Sequence, residues 1–312
     1  MAGFAWMQSG LTQTKHVQLH DGQKMPVLVI GRGQPVIMLH GFGMDARIWL
    51  PFILPFIGQY QFYLPFLRGF GKATRVRFSQ PDFMADYVAD VQAMRQQLGL
   101  DQVLLAGISM GAMTSLYLHR AGGFEGVLRY LHIDQSPVFY HSDDWPYGVF
   151  GAQQVEVLTQ SQQLVEQATP YLHLRFDRVP TALQQQMYQV LGQFMAQAVH
   201  TPLQRAMFWP LVRWPQLMQN MIPATGWQAL IDGMRGYLEQ RYDFRDTLAQ
   251  MTLPVTVMSG AESRLYALEG QRRLALMLPN AQHVVIARAG HAPMLDQPLV
   301  FVRELGRFLR GR

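Results

Sequence analysis

Apolar residues recur along this chain at two different periods, and the change of period sorts the sequence into strands and helices. Residues 15–20 alternate weakly, Asp21-Gly22 is a turn signal, and 25–30 form an apolar run, so an N-terminal hairpin is predicted. Residues 35–39 are continuously apolar, as a strand covered on both faces should be, and stop at His40-Gly41-Phe42-Gly43. Another run at 61–64 ends against Pro65. Over 79–98 the period becomes helical. Phe83, Tyr87, Val88, Val91, Met94 and Leu98 fall on one stripe, with Ser79 and Asp82 read as the capping pair and Gly99 as the stop. A strand at 102–106, a helix at 110–120, a break at Gly122-Gly123 and a strand at 130–133 follow. Strand and helix alternate, which predicts an α/β fold with a mostly parallel sheet covered by helices on both faces.

The alternation is lost from 140 to 245. This stretch is rich in Gln, Met, Trp and Leu and is punctuated by Pro170, Pro180, Pro202, Pro210, Pro215 and Pro223. A structureless loop of that length does not fit inside a compact domain, so short helices forming an inserted cap are predicted. The alternation resumes with a strand at 254–258, a helix at 268–278, a strand at 283–287 and a helix at 299–309. The expected organisation is one core, 1–139 with 246–312, interrupted by a helical cap at 140–245. Met187, Phe194, Met195, Met207, Phe208, Trp209, Trp214, Met218, Met221 and Trp227 give the cap a soft apolar inventory from which an acyl pocket could be lined.

With 312 residues, 49% of them apolar, the chain can bury a large core around such an insertion. The formal charge of +5 is spread along the chain without a basic run, so no nucleic-acid partner is expected. Cysteine is absent, which excludes disulfides, thiolate metal sites and a cysteine nucleophile. The first residues lack a charged segment followed by a full apolar one, and no run is long enough to span a bilayer. The expectation is a cytoplasmic protein without a membrane span.

Gly107-Ile108-Ser109-Met110-Gly111 stands between a predicted strand and a predicted helix. A serine on so sharp a turn projects its hydroxyl above the sheet, and side chains in place of the two glycines would collide with neighbouring elements. Ser109 is therefore the candidate nucleophile. Met110, first in the helix, offers one backbone N–H for an oxyanion, and Phe42 in the Gly-rich turn after the strand at 35–39 offers the second. Gly290-His291 follows the last strand, from which His291 can reach Ser109 as general base. His40 borders the oxyanion loop and is read as structural. No H-E-x-x-H spacing or phosphate loop exists, and neither a metal nor a cofactor is expected.

These segments resemble the α/β-hydrolase family. The resemblance runs through His40-Gly41-Phe42, Arg68-Gly69-Phe70-Gly71, the turn at 107–111, and Gly290-His291 followed by Asp296-Gln297-Pro298 and Phe301. It implies an eight-stranded sheet with the cap inserted after the sixth strand. Two positions depart from the family pattern. Phe66 stands where an Asp often precedes Leu-Arg-Gly-Phe-Gly, and Ser263 stands where the triad acid usually lies, three residues after Gly260. A hydroxyl could orient an imidazole but cannot stabilise an imidazolium as a carboxylate does. Two carboxylates can replace it. Asp134 ends the sixth strand, where one group of haloalkane dehalogenases carries its acid, and Glu262 is one residue short of the usual place. Asp134 is preferred and Glu262 kept as the alternative, while Asp243 and Asp246 read as surface or salt-bridge residues.

The expected function is hydrolysis of a carboxylic ester with an apolar acyl group by a Ser-His-acid acyl-enzyme mechanism, on a small-molecule substrate, with a homodimer as an allowed assembly. Carbon–carbon hydrolase, lactonase, thioesterase and acyltransferase chemistry share the same signature. A non-catalytic ligand receptor on the same scaffold is the alternative outside enzymes.

Overall fold

The computed structural model describes residues 12–200 and 226–312. Eight strands form one sheet: β1 (Thr12–Gln18), β2 (Lys24–Gly31), β3 (Gln34–Leu39), β4 (Tyr60–Pro65), β5 (Val103–Ile108), β6 (Val127–Ile133), β7 (Val255–Gly260) and β8 (Ala281–Ile286). Their spatial order is β1-β2-β4-β3-β5-β6-β7-β8. The β1–β2 and β2–β4 ladders are antiparallel, and every other ladder is parallel. Every residue of β5 is buried, as expected for a central strand covered on both faces. Because β3 and β5–β8 all run the same way, their carboxyl ends lie along one edge, the place where open α/β sheets present their chemistry.

Helices α1 (Phe83–Leu98) and α2 (Met110–Arg120) follow β4 and β5, and α6 (Leu268–Met277) and α7 (Pro298–Arg310) follow β7 and β8. Between β6 and β7 the longer described helices are α3 (Gln154–Ala168), α4 (Thr181–Ala198) and α5 (Gln228–Glu239). This region has an apolar cluster of its own, in which Leu164, Phe176, Met187, Trp227 and Ile231 are buried, separate from the core around the sheet. Trp227 belongs to that cluster and does not line the pocket described below; its indole N–H donates to the Leu174 carbonyl. Met207, Phe208, Trp209, Trp214, Met218 and Met221 lie outside the described residues. Among the described residues no helix is long and apolar enough to cross a membrane.

The structure moves several boundaries, among them the start of the strand predicted at 130–133, which is Val127. The helix predicted from residue 79 begins at Phe83. Pro81 disfavours helical dihedrals at Gln80, and Asp82 alone is the cap, accepting from the Met84 N–H at 3.2 Å. Ser79 instead bonds Asp86 through both its backbone N–H and its hydroxyl. Asp243 and Asp246 pair with Arg245 and Arg120, as read from the sequence.

Candidate active site

Ser109 follows β5 directly and holds φ 52° and ψ −122°, outside the regions comfortable for a residue with a side chain. The surroundings over-determine this conformation. Ser109 N–H donates to the Ile133 carbonyl at 3.1 Å, and its own carbonyl accepts from Met113. The flanking glycines are required by contact. A Cβ on Gly107 would stand 2.4 Å from the Gly111 oxygen, and one on Gly111 would stand 2.4 Å from the Leu39 oxygen of the neighbouring strand. Met110 opens α2, so its N–H has no carbonyl one turn back to bond.

The turn after β3 runs beside the serine: a Cβ placed on Gly41 would be 3.3 Å from that of Ser109. Phe42 therefore sits at the site, its ring edge-on to Phe70 at 5.3 Å and to Tyr237 at 5.9 Å. His40 anchors this turn. One ring nitrogen, Nδ1, donates to the Gly41 carbonyl at 2.9 Å, and Nε2 accepts from the Leu67 N–H at 3.2 Å, tying the segments after β3 and β4 together. Complete burial pushes its pKa down to about 4, so it stays neutral and keeps both bonds near neutral pH.

Asp134 emerges from β6 at the level of Ser109, since Ile133 pairs with Ile108 on one side and Met258 on the other. It is fully buried at φ 43°, a conformation aspartate tolerates better than most residues. Three donors converge on its carboxylate. His291 Nδ1 donates to Oδ1 at 2.8 Å, the Ser263 hydroxyl donates to the same oxygen at 2.7 Å, and the Gly260 N–H donates to Oδ2 at 2.8 Å. With Nδ1 committed, His291 has Nε2 free for proton transfer. That atom is buried and has no hydrogen-bond partner among the described residues. Glu262 is not in this arrangement. Its side chain is 48% exposed, and His200 Nδ1 lies 3.8 Å from its carboxylate.

Two supporting residues were not assigned these roles from sequence. Ser263 bonds the carboxylate and not the imidazole: the hydroxyl at the usual acid position donates to Asp134. Asp296 pins the histidine loop, its carboxylate accepting from the Gly290 N–H at 2.7 Å and from the His200 N–H at 3.1 Å. Its place in Asp296-Gln297-Pro298 was the available signal. Replacing Ser263 by alanine leaves the His291 bond in place and removes one neutral donor, so kcat is expected to fall by about fivefold with KM unchanged, in line with roughly 1 kcal/mol for such a bond. A drop beyond a thousandfold in steady-state kinetics would give Ser263 a larger part than holding Asp134.

Above Ser109 lies a pocket walled largely by apolar side chains from α3, α4 and α5, with Phe139, Leu265 and Tyr266 contributed from the sheet side. Met187 and Phe194, expected from the sequence to serve a pocket, line it. Met195 lies in a neighbouring cleft alongside Phe42.

A family profile described as alpha/beta hydrolase fold matches residues 34–298. Among curated proteins, the pimeloyl-[acyl-carrier protein] methyl ester esterase of Aliivibrio salmonicida is 26% identical over 281 residues, 90% of this chain and 94% of the relative. The enzyme of that name from Legionella pneumophila strain Paris is 28% identical over 286 residues, 90% of this chain and 97% of the relative. Among solved structures, an esterase from Exiguobacterium antarcticum superimposes with a TM-score of 0.73 at 23% identity, covering 96% of this chain and all of that one. A thermophilic esterase from Thermogutta terrifontis gives 0.71 at 20% identity, covering 96% and 98%. At these identities the structural matches speak for the fold.

Proposed function

The chain belongs to the alpha/beta hydrolase fold family and is a carboxylesterase-like hydrolase, and on that premise we propose that it cleaves esters with an apolar acyl chain through an acyl-enzyme on Ser109. The observation that carries this reading is Ser109, held on its strained turn below an apolar pocket. The hydrogen-bonded pair of His291 and Asp134 supports it.

In the proposed reaction the ester carbonyl sits over Ser109, its oxygen taken by the N–H groups of Met110 and Phe42. His291 Nε2 accepts the serine proton as Oγ attacks, and Asp134 stabilises the resulting imidazolium. Collapse of the tetrahedral intermediate breaks the bond to the alcohol, which leaves with the proton from Nε2. Water then repeats the sequence on the acyl-enzyme and frees the acid. The described helices α3, α4 and α5 of the segment 140–245 act as a cap that excludes bulk water and supplies acyl-binding walls. The relatives named above act on the methyl ester of an acyl chain carried by a protein. A methyl ester of a medium-length acyl chain is accordingly the substrate type favoured here.

Labelling by a fluorophosphonate, with Ser109 identified as the modified residue, separates an enzyme from a non-catalytic receptor. A series of p-nitrophenyl esters then tests the pocket. The expected result is a kcat/KM that rises from acetate into medium chain lengths, by roughly 0.8 kcal/mol for each methylene buried. A flat profile, or a preference for charged acyl groups, would overturn the assignment of the apolar pocket to the acyl chain. Matched thioesters and lactones, run in parallel, discriminate the related chemistries.

A further inference from the structure

No charged side chain lines the pocket at Ser109 among the described residues, and four of its polar members, besides Ser109, Tyr237 and Tyr266, come from α3 and α4. Gln193 and Gln197 are four residues apart on α4, so one helix face presents both. Gln160 and Ser161 come from α3, which packs against α4. Two of these groups already have partners. The Ser161 hydroxyl donates to the Val157 carbonyl, and the Gln160 amide donates to Glu156. Gln197 differs: its side-chain oxygen is buried and has no donor among the described residues. A buried amide oxygen left without a donor is destabilising, and such groups are uncommon in folded proteins unless something else satisfies them. Gln197 also lies near the reacting groups, since the carbonyl of the next residue, Ala198, accepts from the N–H of Ala292, which follows His291.

Building on the esterase reading, we infer that Gln197 is a specificity residue whose amide oxygen accepts a hydrogen bond from a neutral N–H or O–H group in the substrate's otherwise apolar acyl chain. Gln193, one turn earlier, is placed to complete the pairing when that group is an amide. An alkyl group at the same place leaves the Gln197 oxygen without a donor. A carboxylate fares worse, because it has no proton to donate and brings a charge into a pocket with no cation among its described lining residues. The preferred acyl groups are thus apolar chains bearing one amide or hydroxyl.

The test uses methyl esters in matched sets across a series of spacer lengths, ending in a primary amide, in a branched alkyl group of the same shape, or in a carboxylate. At the best spacer length, the wild-type enzyme is expected to favour the amide over the alkyl by about fivefold to tenfold in kcat/KM, mostly through KM. It should favour the amide over the carboxylate by more than about a hundredfold. Gln197→Leu is expected to bring the amide-to-alkyl ratio to one or below, and Gln193→Leu to reduce it. Such ratios within one variant do not depend on how much of that variant is folded. The same esters are titrated calorimetrically into Ser109→Ala, which reads binding without turnover. Turnover or binding with an amide-to-alkyl ratio near one, or a ratio that survives Gln197→Leu, overturns the inference. Amide-selective binding to Ser109→Ala with no hydrolysis by the wild type would leave the role of Gln197 standing and remove the esterase reading beneath it.

Discussion

Replacing Ser109 with alanine is expected to lower kcat for ester hydrolysis by about 10⁵ to 10⁶, as removal of the nucleophile does in other serine hydrolases. The loss should appear in kcat and not in substrate binding, because the pocket walls and the N–H groups of Met110 and Phe42 remain. Thermal stability should stay close to wild type. Alanine has the same backbone difficulty at φ 52° that serine has, and the hydrogen bonds of residue 109 to Ile133 and Met113 are made by its backbone. Glycine at the same position provides the contrast. It accepts a positive φ without a Cβ penalty, so Ser109→Gly should be equally inactive but melt a few degrees higher, reflecting release of roughly 1–3 kcal/mol of local strain. A Ser109→Ala enzyme that turned over a p-nitrophenyl ester at the wild-type rate would remove the nucleophile assignment altogether.

Asp134→Asn should cost up to about 10⁴ in kcat, by analogy with the equivalent change in serine proteases, and the structure explains why an isosteric change is so damaging. The Gly260 N–H is a backbone donor facing Oδ2 and cannot reverse its role. It draws the single oxygen of an asparagine toward itself and turns the NH₂ group toward Ser263 and His291. The Ser263 hydroxyl can rotate to accept. His291 can satisfy the new donor only by moving its proton to Nε2, which leaves no base facing the serine. The opposite amide orientation keeps the histidine bond but sets the NH₂ group against the Gly260 N–H. Glu262→Gln is expected to cost less than about tenfold, because that side chain is half exposed and lies outside the proton path. Stopped assays of the two variants against the same ester decide between the carboxylates. A large loss in Glu262→Gln with near-normal Asp134→Asn would move the acid to Glu262.

The centre of the sheet was legible because its inner strands are buried on both faces and therefore written as short, continuous apolar runs between turn residues, as in 35–39, 102–106 and 254–258. Boundaries were less legible where side chains compete for the same backbone groups. Ser79 and Asp82 are both good caps in isolation, and Pro81 together with the pairing of Ser79 with Asp86 left Asp82 as the actual one. Candidate residues at strand ends were visible for a related reason: the turn at 107–111 and the pair Gly290-His291 are local patterns imposed by tight backbone geometry.

What the sequence determined by itself was the class of fold and the residue types offered for chemistry, because periodicity and close-packed glycines are properties of neighbouring residues. What only the tertiary structure decided was which distant groups meet. Asp134 and Ser263 are 129 residues apart, and Asp134 and His291 are 157 apart. They meet because β6, β7 and β8 end in register at one edge of a parallel sheet, an alignment fixed by inter-strand hydrogen bonds. The same holds for Gln197. As a letter in a Gln-rich helix it is unremarked, and only the packing of α3, α4 and the histidine loop leaves its oxygen buried beside the site without a donor among the described residues. Burial is a property of the assembled fold, and the free energy of an unmet hydrogen bond arises only once water has been excluded.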